Sequence, residues 1–413
     1  MNLPNRQHRL RPMVGRDPTE EHRSATPLEL LFDVTFVAAF AQASDQAAHF
    51  IAEGHFGTAA TGFVFVTFAV CWAWVNFSWF ASAFDTDDYF FRLMTMVQMV
   101  GVLILALGTP PVFESIDAGE TLDIGVLVAG YIVMRVAMIA QWLRVARQDP
   151  ESRRTALIFA TTIAVAQIGW TLVALLHLPL RALGPALVVL YVIELGGPVL
   201  AARVSGIPPW HAHHIAERYG LFMIITLGEV VLGTIAAVSG VVGRVGWSPE
   251  AVMVAIAGIG LAFGLWWSFF VVPFGEILAR HRRRAWVWGY GGIVVFSSTA
   301  ALGAGLHAAA YVAGGEATVG IFGVVVAVAV PVLVSTVSYF AIYAYLVHAF
   351  DSLHLLLVAG SVMALAVAVA VAAAGAGLGV SLLLVMLAPA VIVVGYETIG
   401  HRHMAEVLQR LLS

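Results

Sequence analysis

The sequence predicts an all-α polytopic membrane protein of about 12 transmembrane helices. Of its 413 residues, 60% are hydrophobic and only 11% are charged, and the mean hydropathy is +0.90. A water-soluble domain does not have this composition. In addition, apolar runs long enough to cross a bilayer, which takes about 20 residues, recur along the whole chain.

The predicted spans form two groups of six. The first group lies near residues 27–50, 57–80, 90–112, 122–146, 154–176 and 184–203. The second group lies near residues 213–238, 249–274, 285–308, 317–345, 353–374 and 378–400. An Ala/Val/Gly run at 365–379 hides the boundary between the last two spans.

The positions of the arginines predict the orientation of these spans. All 21 basic residues are arginine, and they cluster before the first span, after the fourth and after the eighth. The first cluster consists of Arg6, Arg9, Arg11, Arg16 and Arg23. Because cytoplasmic segments carry the excess of basic residues, we predict cytoplasmic tails at 1–25 and 401–413. Residues 1–25 contain no apolar core typical of a cleavable signal, so the first span is expected to direct its own insertion.

Two similar segments predict an internal repeat. Thr26–Asp45 reads TPLELLFDVTFVAAFAQASD and His214–Leu232 reads HIAERYGLFMIITLGEVVL, each with a Glu at a helix entrance and an apolar run after it. We therefore predict two parallel six-helix repeats, 26–205 and 206–400, as in some transporters. The second span of each repeat ends in an aromatic cluster, which either lines a pocket or anchors the helix at the membrane interface. The tryptophans of these clusters are Trp72, Trp74, Trp266 and Trp267.

The paired entrance segments resemble the bacterial low-temperature-requirement A (LtrA) family of multispanning membrane proteins. The likeness covers nearly the whole chain, including the segment Trp72–Asp88 and the arginine inside the fourth span. The resemblance implies a protein of the bacterial cytoplasmic (inner) membrane that is linked by name to growth in the cold, without a defined biochemical activity. The residues that match the family motif are Glu29, Asp33, Glu217, Gly220 and Glu229.

The sequence departs from this family pattern at two places. Val230 follows Glu229, where a small residue is usual, and Tyr290-Gly291-Gly292 stands where the family often has a histidine in the ninth span. The second departure argues against an essential titrating histidine in the second half of the chain.

Charges inside the spans indicate the candidate site, because a charge at the bilayer centre costs on the order of 3 kcal/mol or more. Arg135 lies about 18 Å inside the fourth span and stays charged at any physiological pH. Glu194 lies at a depth of about 10 to 15 Å in the sixth span. We therefore predict an Arg135–Glu194 pair, with Asp33 as the competing partner. A purely structural ion pair is the alternative to a functional one.

The other carboxylates differ in how well a structural role explains them. Thr26, Pro27 and Glu29 fit a capping box with proline at its preferred position, which favours a capping role for Glu29. Asp33 lies one turn deeper, beyond the free backbone donors of the first turn. Glu229, about 24 Å into the seventh span, is a candidate proton carrier. Its alternative role is that of a protonated side chain bonded to a neighbouring helix.

Several other classes of function find no support in the sequence. Histidines cluster at His211, His213 and His214 and at His401 and His403, but without a convincing ligand spacing, and we expect solvated interfacial residues there. No phosphate-binding loop or Ser-His-Asp spacing occurs, so we expect no catalytic residues, no cofactor and no metal. The net charge of −4 does not indicate a nucleic-acid partner.

Two functions remain. The first is a secondary transporter or channel, proton-linked, with Arg135, Asp33, Glu194 and Glu229 as its ion or substrate site among spans one, four, six and seven. The second is a non-transporting sensor, or a lipid-binding or lipid-modifying protein, that uses the same cavity. We favour the first because no residue set supplies a nucleophile or a metal. The expected partners are the bilayer, a small ion or small molecule, and a second copy of the chain in a homodimer.

Overall fold

The structure is a computed structural model that describes residues 10–21, 23–119, 121–178, 180–348 and 352–412. Within these residues 12 helices are long and apolar enough to cross a membrane, as the sequence predicts. The helices are α1 Pro27–Glu53, α2 Phe56–Phe84, α3 Tyr89–Leu107, α4 Thr109–Ala118, α5 Gly125–Gln148, α6 Arg153–Leu176, α7 Leu180–Ser205, α8 Ala212–Val245, α9 Pro249–Phe270, α10 Phe274–Arg280, α11 Ala285–Gly314, α12 Ile321–Val347, α13 Ser352–Ala373, α14 Leu378–Gly395 and α15 His401–Leu412.

Proline and glycine account for several helix boundaries. α4 starts directly after α3 with prolines in its first turn, where a missing N–H has no helical partner to lose. α9 and α10 are separated by a short segment that contains Pro273. The boundary that the sequence hides within 365–379 falls at Gly375, whose φ of +93° is a backbone conformation that favours glycine.

The helices α3 and α5 approach each other closely through glycines. A Cβ added to Gly101 would lie 2.7 Å from the carbonyl oxygen of Gly130, and one added to Gly108 would lie 2.3 Å from the backbone nitrogen of Leu127. Because lipid tails are as apolar as the side chains, helices in a membrane associate through such close packing rather than through the hydrophobic effect. These glycines therefore fix the position of α5, which carries Arg135.

The chain divides into two compact units. The first unit consists of Met1–Ala39 and Trp72–Ile215, and the second of Phe40–Cys71 and Ala216–Ser413. These boundaries fall inside α1, α2 and α8, whereas the predicted repeats meet between α7 and α8. The two parallel six-helix repeats, and the cytoplasmic position of both termini, stay predictions.

Residues 10–21, here called the N-terminal strap, cross the helix ends of the first unit. The backbone N–H of Met13 donates to the side chain of Gln148 (2.8 Å), and the N–H of Gly15 donates to that of Asp149 (2.9 Å). The N–H of Arg16 donates to the carbonyl of Ala83 (2.9 Å). The strap thus joins the end of α2 to the end of α5. The predicted tail residues Arg6 and Arg9 lie outside the described residues.

A buried ion pair holds the strap in place. Arg144 of α5 forms an ion pair with Asp88, and its Nη2 also donates to the carbonyl of Arg11 in the strap (2.7 Å). Asp88 accepts from the backbone N–H of Arg11 (3.0 Å) and, as the N-cap of α3, from that of Phe91 (3.0 Å). Burial raises the pKa of Asp88, but these hydrogen bonds outweigh it and hold the pKa at about 2.

The Asp88–Arg144 pair is expected to be a main source of stability at this end of the first unit. Asp88→Asn leaves Arg144 buried without a counter-charge, which costs about 3 to 5 kcal/mol in free energy of unfolding. Thermal unfolding in detergent, together with hydrogen exchange of residues 10–21, measures the loss. The adjacent Asp87→Asn is the matched control, because Asp87 forms an exposed pair with Arg92 of a kind that contributes about 0 to 1 kcal/mol. Equal effects of the two substitutions would contradict this assignment.

Candidate functional site

Arg135 and Glu194 meet in the interior of the first unit. Arg135 Nη2 on α5 lies 3.3 Å from Glu194 Oε2 on α7, and the two residues are only 2% and 7% exposed. The two side chains are thus in contact, as the sequence predicts, and a functional role for the pair stays a prediction. The sequence predicted it from depth alone, because two opposite charges at similar depth in hydrocarbon compensate each other.

Aromatic side chains complete this charge pair. Tyr131, one turn before Arg135 on α5, forms a hydrogen bond with the guanidinium through its hydroxyl and lies with its ring 4.4 Å below it. The indole N–H of Trp72 on α2 donates to Glu194 Oε2 (2.6 Å). Glu194 therefore accepts from two helices at once. The sequence singled out Trp72 as a pocket or interface residue, but it did not predict that Trp72 donates to a carboxylate.

Asp33, the competing partner, has a different neighbour. The indole N–H of Trp74 on α2 donates to Asp33 Oδ1 (2.7 Å), and both residues are buried. Trp72 and Trp74 are two positions apart on one helix, where successive residues turn by about 100°. They consequently point to opposite sides of α2, and α2 links Asp33 of α1 to the Arg135–Glu194 pair.

A second polar cluster lies at the entrance of α1. Thr26 and Glu29 form the predicted capping box: the N–H of Thr26 donates to Glu29 Oε2 (2.8 Å), and the N–H of Glu29 donates to Thr26 Oγ1 (3.3 Å). Glu29 also lies 3.2 Å from Nε2 of His214. Arg23 donates to the carbonyl of Ala81 (2.8 Å) beside it. Glu29 thus combines a capping role with a buried contact to His214.

Asp85, in the segment after α2, belongs to the same cluster. Burial, together with the nearby Glu29 carboxyl, raises its pKa to about 6, although the N–H of Asp87 and the charge of Arg23 act in the opposite direction. Sequence reasoning did not select Asp85 or Arg23 as site residues. The acidic run at 85–88 and the arginines of the tail were visible, but their burial is a tertiary property.

The histidine prediction was wrong for two residues. His211 and His214 are 5% and 0% exposed, whereas solvated positions were expected. The chain folds them inward because His211 N–H donates to Ser82 Oγ (3.0 Å) and the His211 ring contacts the carbonyl of Glu20 in the strap (2.7 Å). His213 and His401 are exposed as expected. Within the described residues, no group of three or more potential ligands could hold a metal ion.

Glu229 belongs to the second unit. It is 1% exposed on α8, and its backbone packs against Gly303 of α11, where a Cβ would lie 2.6 Å from the Glu229 carbonyl. Neither carboxyl oxygen has a hydrogen-bond partner among the described residues. The hydroxyl of Ser44 faces the carboxyl, but it does not reach it with hydrogen-bond geometry.

The remaining predicted residues belong to α8 and α9. Glu217 is exposed near the start of α8, and Gly220 packs against the ring of Phe270, 3.0 Å from where a Cβ would be. Trp266 is 38% exposed, and the indole of Trp267 donates to Glu397 (3.1 Å). The α2 tryptophans are therefore internal hydrogen-bond donors, whereas Trp266 is exposed on α9.

Comparison with known proteins identifies similar sequences. The sequence profile described as the bacterial low temperature requirement A protein matches residues 24–389. An uncharacterized protein of Rhizobium meliloti (strain 1021) is 29% identical over 228 residues, which cover 53% of this chain and 52% of that protein. The matched part thus spans about half the length of that curated relative. No solved structure matches the chain.

The raised pKa of Asp85 predicts a pH dependence of stability. The folded protein holds the Asp85 proton up to about pH 6, whereas the unfolded chain releases it near 3.8. The resulting stabilisation is fully present below pH 3.8 and is lost as the pH rises through 6, by on the order of 3 kcal/mol.

Melting temperatures in detergent between pH 4.5 and 7.5 test this dependence. Asp85→Asn should remove the part of the fall in melting temperature with rising pH that comes from Asp85. Asp117→Asn, at an exposed residue of α4, should leave that fall unchanged. An unchanged pH profile in Asp85→Asn would show that this carboxyl does not titrate as described.

Proposed function

The chain belongs to the bacterial low temperature requirement A family, and on this premise we propose that it is a proton-linked secondary transporter or channel of the bacterial cytoplasmic membrane. The observation that carries the proposal is the Arg135–Glu194 pair. It lies about 15 Å from the nearer end of α5, with donors from α2 and α5 around it. Ionisable residues at such depth mark ion and substrate paths in membrane proteins.

The pair can exchange partners without changing its net charge. Protonation of Glu194 releases Arg135 from its counter-ion, and an anionic substrate then takes the place of the carboxylate. Arginine suits this role because its planar fork of N–H donors binds carboxylate and phosphate groups in a bidentate manner. Nε of Arg135 has no hydrogen-bond partner among the described residues, so one donor remains for a ligand.

This exchange couples a proton to an anion. The resting site holds one positive and one negative charge, and the loaded site holds Arg135, a neutral Glu194 and a monoanion, so that both sum to zero. Movement of proton and anion together is therefore electroneutral. Trp72 keeps Glu194 oriented in the resting state through its indole N–H, while Tyr131 holds Arg135.

Glu229 is the second proton carrier in this proposal. An ionised carboxylate in hydrocarbon is costly without a partner, and both Glu229 oxygens lack a hydrogen-bond partner among the described residues. A residue of this kind is kept in a membrane span when it binds and releases a proton or cation. The close approach of Gly303 to the Glu229 backbone holds this part of α8 against α11.

The alternative function is a non-transporting sensor, or a lipid-binding or lipid-modifying protein, whose ligand would lie beside the tryptophans. The α2 tryptophans give it less support, because their indoles donate to Glu194 and Asp33. An apolar lipid pocket would not need two ionisable groups held in this way. A buried charge pair with aromatic donors favours an ion or a polar substrate.

Proton movement in proteoliposomes tests the proposal. With a pH dye inside the vesicles and an inward proton gradient, the wild-type protein should acidify the lumen, and it should do so faster when a monoanion, chloride or dihydrogen phosphate, is supplied outside. Glu194→Gln, Arg135→Gln and Glu229→Gln should each reduce the rate at least tenfold, because each removes a group that takes part in the exchange. Arg154→Gln and Glu316→Gln, at exposed residues, serve as matched controls and should leave the rate unchanged. Wild-type vesicles no faster than empty ones under every gradient, or site variants as fast as the controls, would refute the proposal.

A further inference from the structure

The second unit contains an apolar groove between α1, α2, α11 and α12, here called the lateral groove. Its volume is about 430 Å³. Ser297 and Ser298 are the polar residues among its lining, and the hydroxyl of Ser298 is already used, since it donates to the carbonyl of Val295 (3.0 Å). The groove therefore offers a ligand mainly hydrocarbon surface.

The groove is elongated along the helix axes. The residues that α2 contributes follow the spacing of one helical face: Phe56, Ala59, Ala60, Phe63, Val64 and Phe68. Twelve residue steps along a helix correspond to about 18 Å. The hydrocarbon thickness of one leaflet is half of about 30 Å, or about 15 Å. The groove is thus about as long as one leaflet is deep.

The positions of the two ends of the groove also fit the depth of one leaflet. One end lies at the turn between α1 and α2, where Gly54 adopts a φ of +90° and the chain reverses at the end of a span. The other end lies in the middle of the span Phe56–Phe84. There Cys71, one turn after Phe68 on the same face of α2, is buried with its Sγ 3.8 Å from Ser297 Oγ. A chain that enters at the turn therefore stops near the bilayer centre.

One wall of the groove is open to the side. Val64, Val330 and Val334 line it and are 64%, 50% and 38% exposed. Because α2 and α12 are membrane-spanning helices, we expect these exposed side chains to contact lipid. A molecule can enter laterally from the bilayer, without passing through water.

We propose that the lateral groove binds one acyl chain of a phospholipid from the leaflet at the α1–α2 turn. The occupant is an acyl chain because the groove matches one leaflet in length and closes near its centre, so that a longer polyisoprenoid chain would not fit within it. Retention rests on shape and dispersion contacts rather than on the hydrophobic effect, since the surrounding lipid is equally apolar. Its lining residues do not include Arg135 or Glu194, so this proposal does not depend on the proposed transport.

Native mass spectrometry of the detergent-purified full chain tests the proposal with phosphatidylethanolamine and phosphatidylglycerol as the lipids supplied. Wild type should retain one phospholipid per chain under conditions that remove loosely bound lipid. Ala60→Trp fills the groove and should lose that lipid. Ala366→Trp makes the same change at an exposed alanine of α13 outside the groove and should keep it. Equal retention in the two variants, or a polyisoprenoid in place of the phospholipid, would overturn the proposal.

A second measurement needs no variant and covers the case in which Ala60→Trp does not fold. The wild-type chain is placed in nanodiscs that contain a phospholipid with a photoreactive diazirine in its acyl chain. Cross-linked peptides should come at least fivefold more often from the groove segments of α2 and α12 than from α13. An even distribution over the lipid-facing helices would show that the groove binds no chain more tightly than the bulk bilayer does.

Discussion

The charge of Arg135, in the middle of a membrane-spanning helix, must be compensated from within the protein, and the interior of the first unit is arranged around this requirement. Glu194 supplies the counter-charge from α7, and Trp72 on α2 satisfies an oxygen of Glu194. Trp74, on the other side of α2, donates to Asp33 of α1. The buried Arg135 is thus one member of a series of polar contacts that involves α5, α7, α2 and α1. Each contact gives a partner to a polar group that would find none in hydrocarbon.

Other contacts in the first unit hold the helices that carry these polar groups in place. Glycine contacts bring α3 against α5, so that Arg135 is carried by a helix with little freedom to rotate. At the helix ends, the Asp88–Arg144 pair and the strap join α2 to α5. The strap belongs to the folded structure, although its composition is that of a polar tail. The proposed exchange of partners needs such a frame, because a shift of about 1 Å is enough to break a hydrogen bond.

The sequence was sufficient wherever the signal was local or depended on depth alone. Length and hydropathy located the 12 spans, the spacing of Thr26 and Glu29 identified the capping box, and counting residues into two helices paired Arg135 with Glu194. It was not sufficient where the rotation of a helix decides the contact. α2 is apolar around most of its circumference, so no amphipathic stripe indicated that Trp72 and Trp74 point inward. The strap and the buried His211 and His214 were missed for a related reason, since their hydrogen bonds join residues that are far apart in the chain.

Proton-linked transport at the Arg135–Glu194 pair requires that a water-accessible path reach the pair. Tyr191 lies one turn before Glu194 on the same face of α7, and its neighbour Val192 is 66% exposed on the outer face of that helix. In a background in which Cys71, the single cysteine, is replaced by serine, Tyr191→Cys and Val192→Cys differ only in which face of α7 carries the thiol. A membrane-impermeant, charged thiol reagent should label Tyr191→Cys at least tenfold faster than Val192→Cys, because we expect the thiol at position 192 to face lipid. Equal and negligible labelling of both positions from either side of the membrane would mean that the pair is sealed and serves only to hold the helices together.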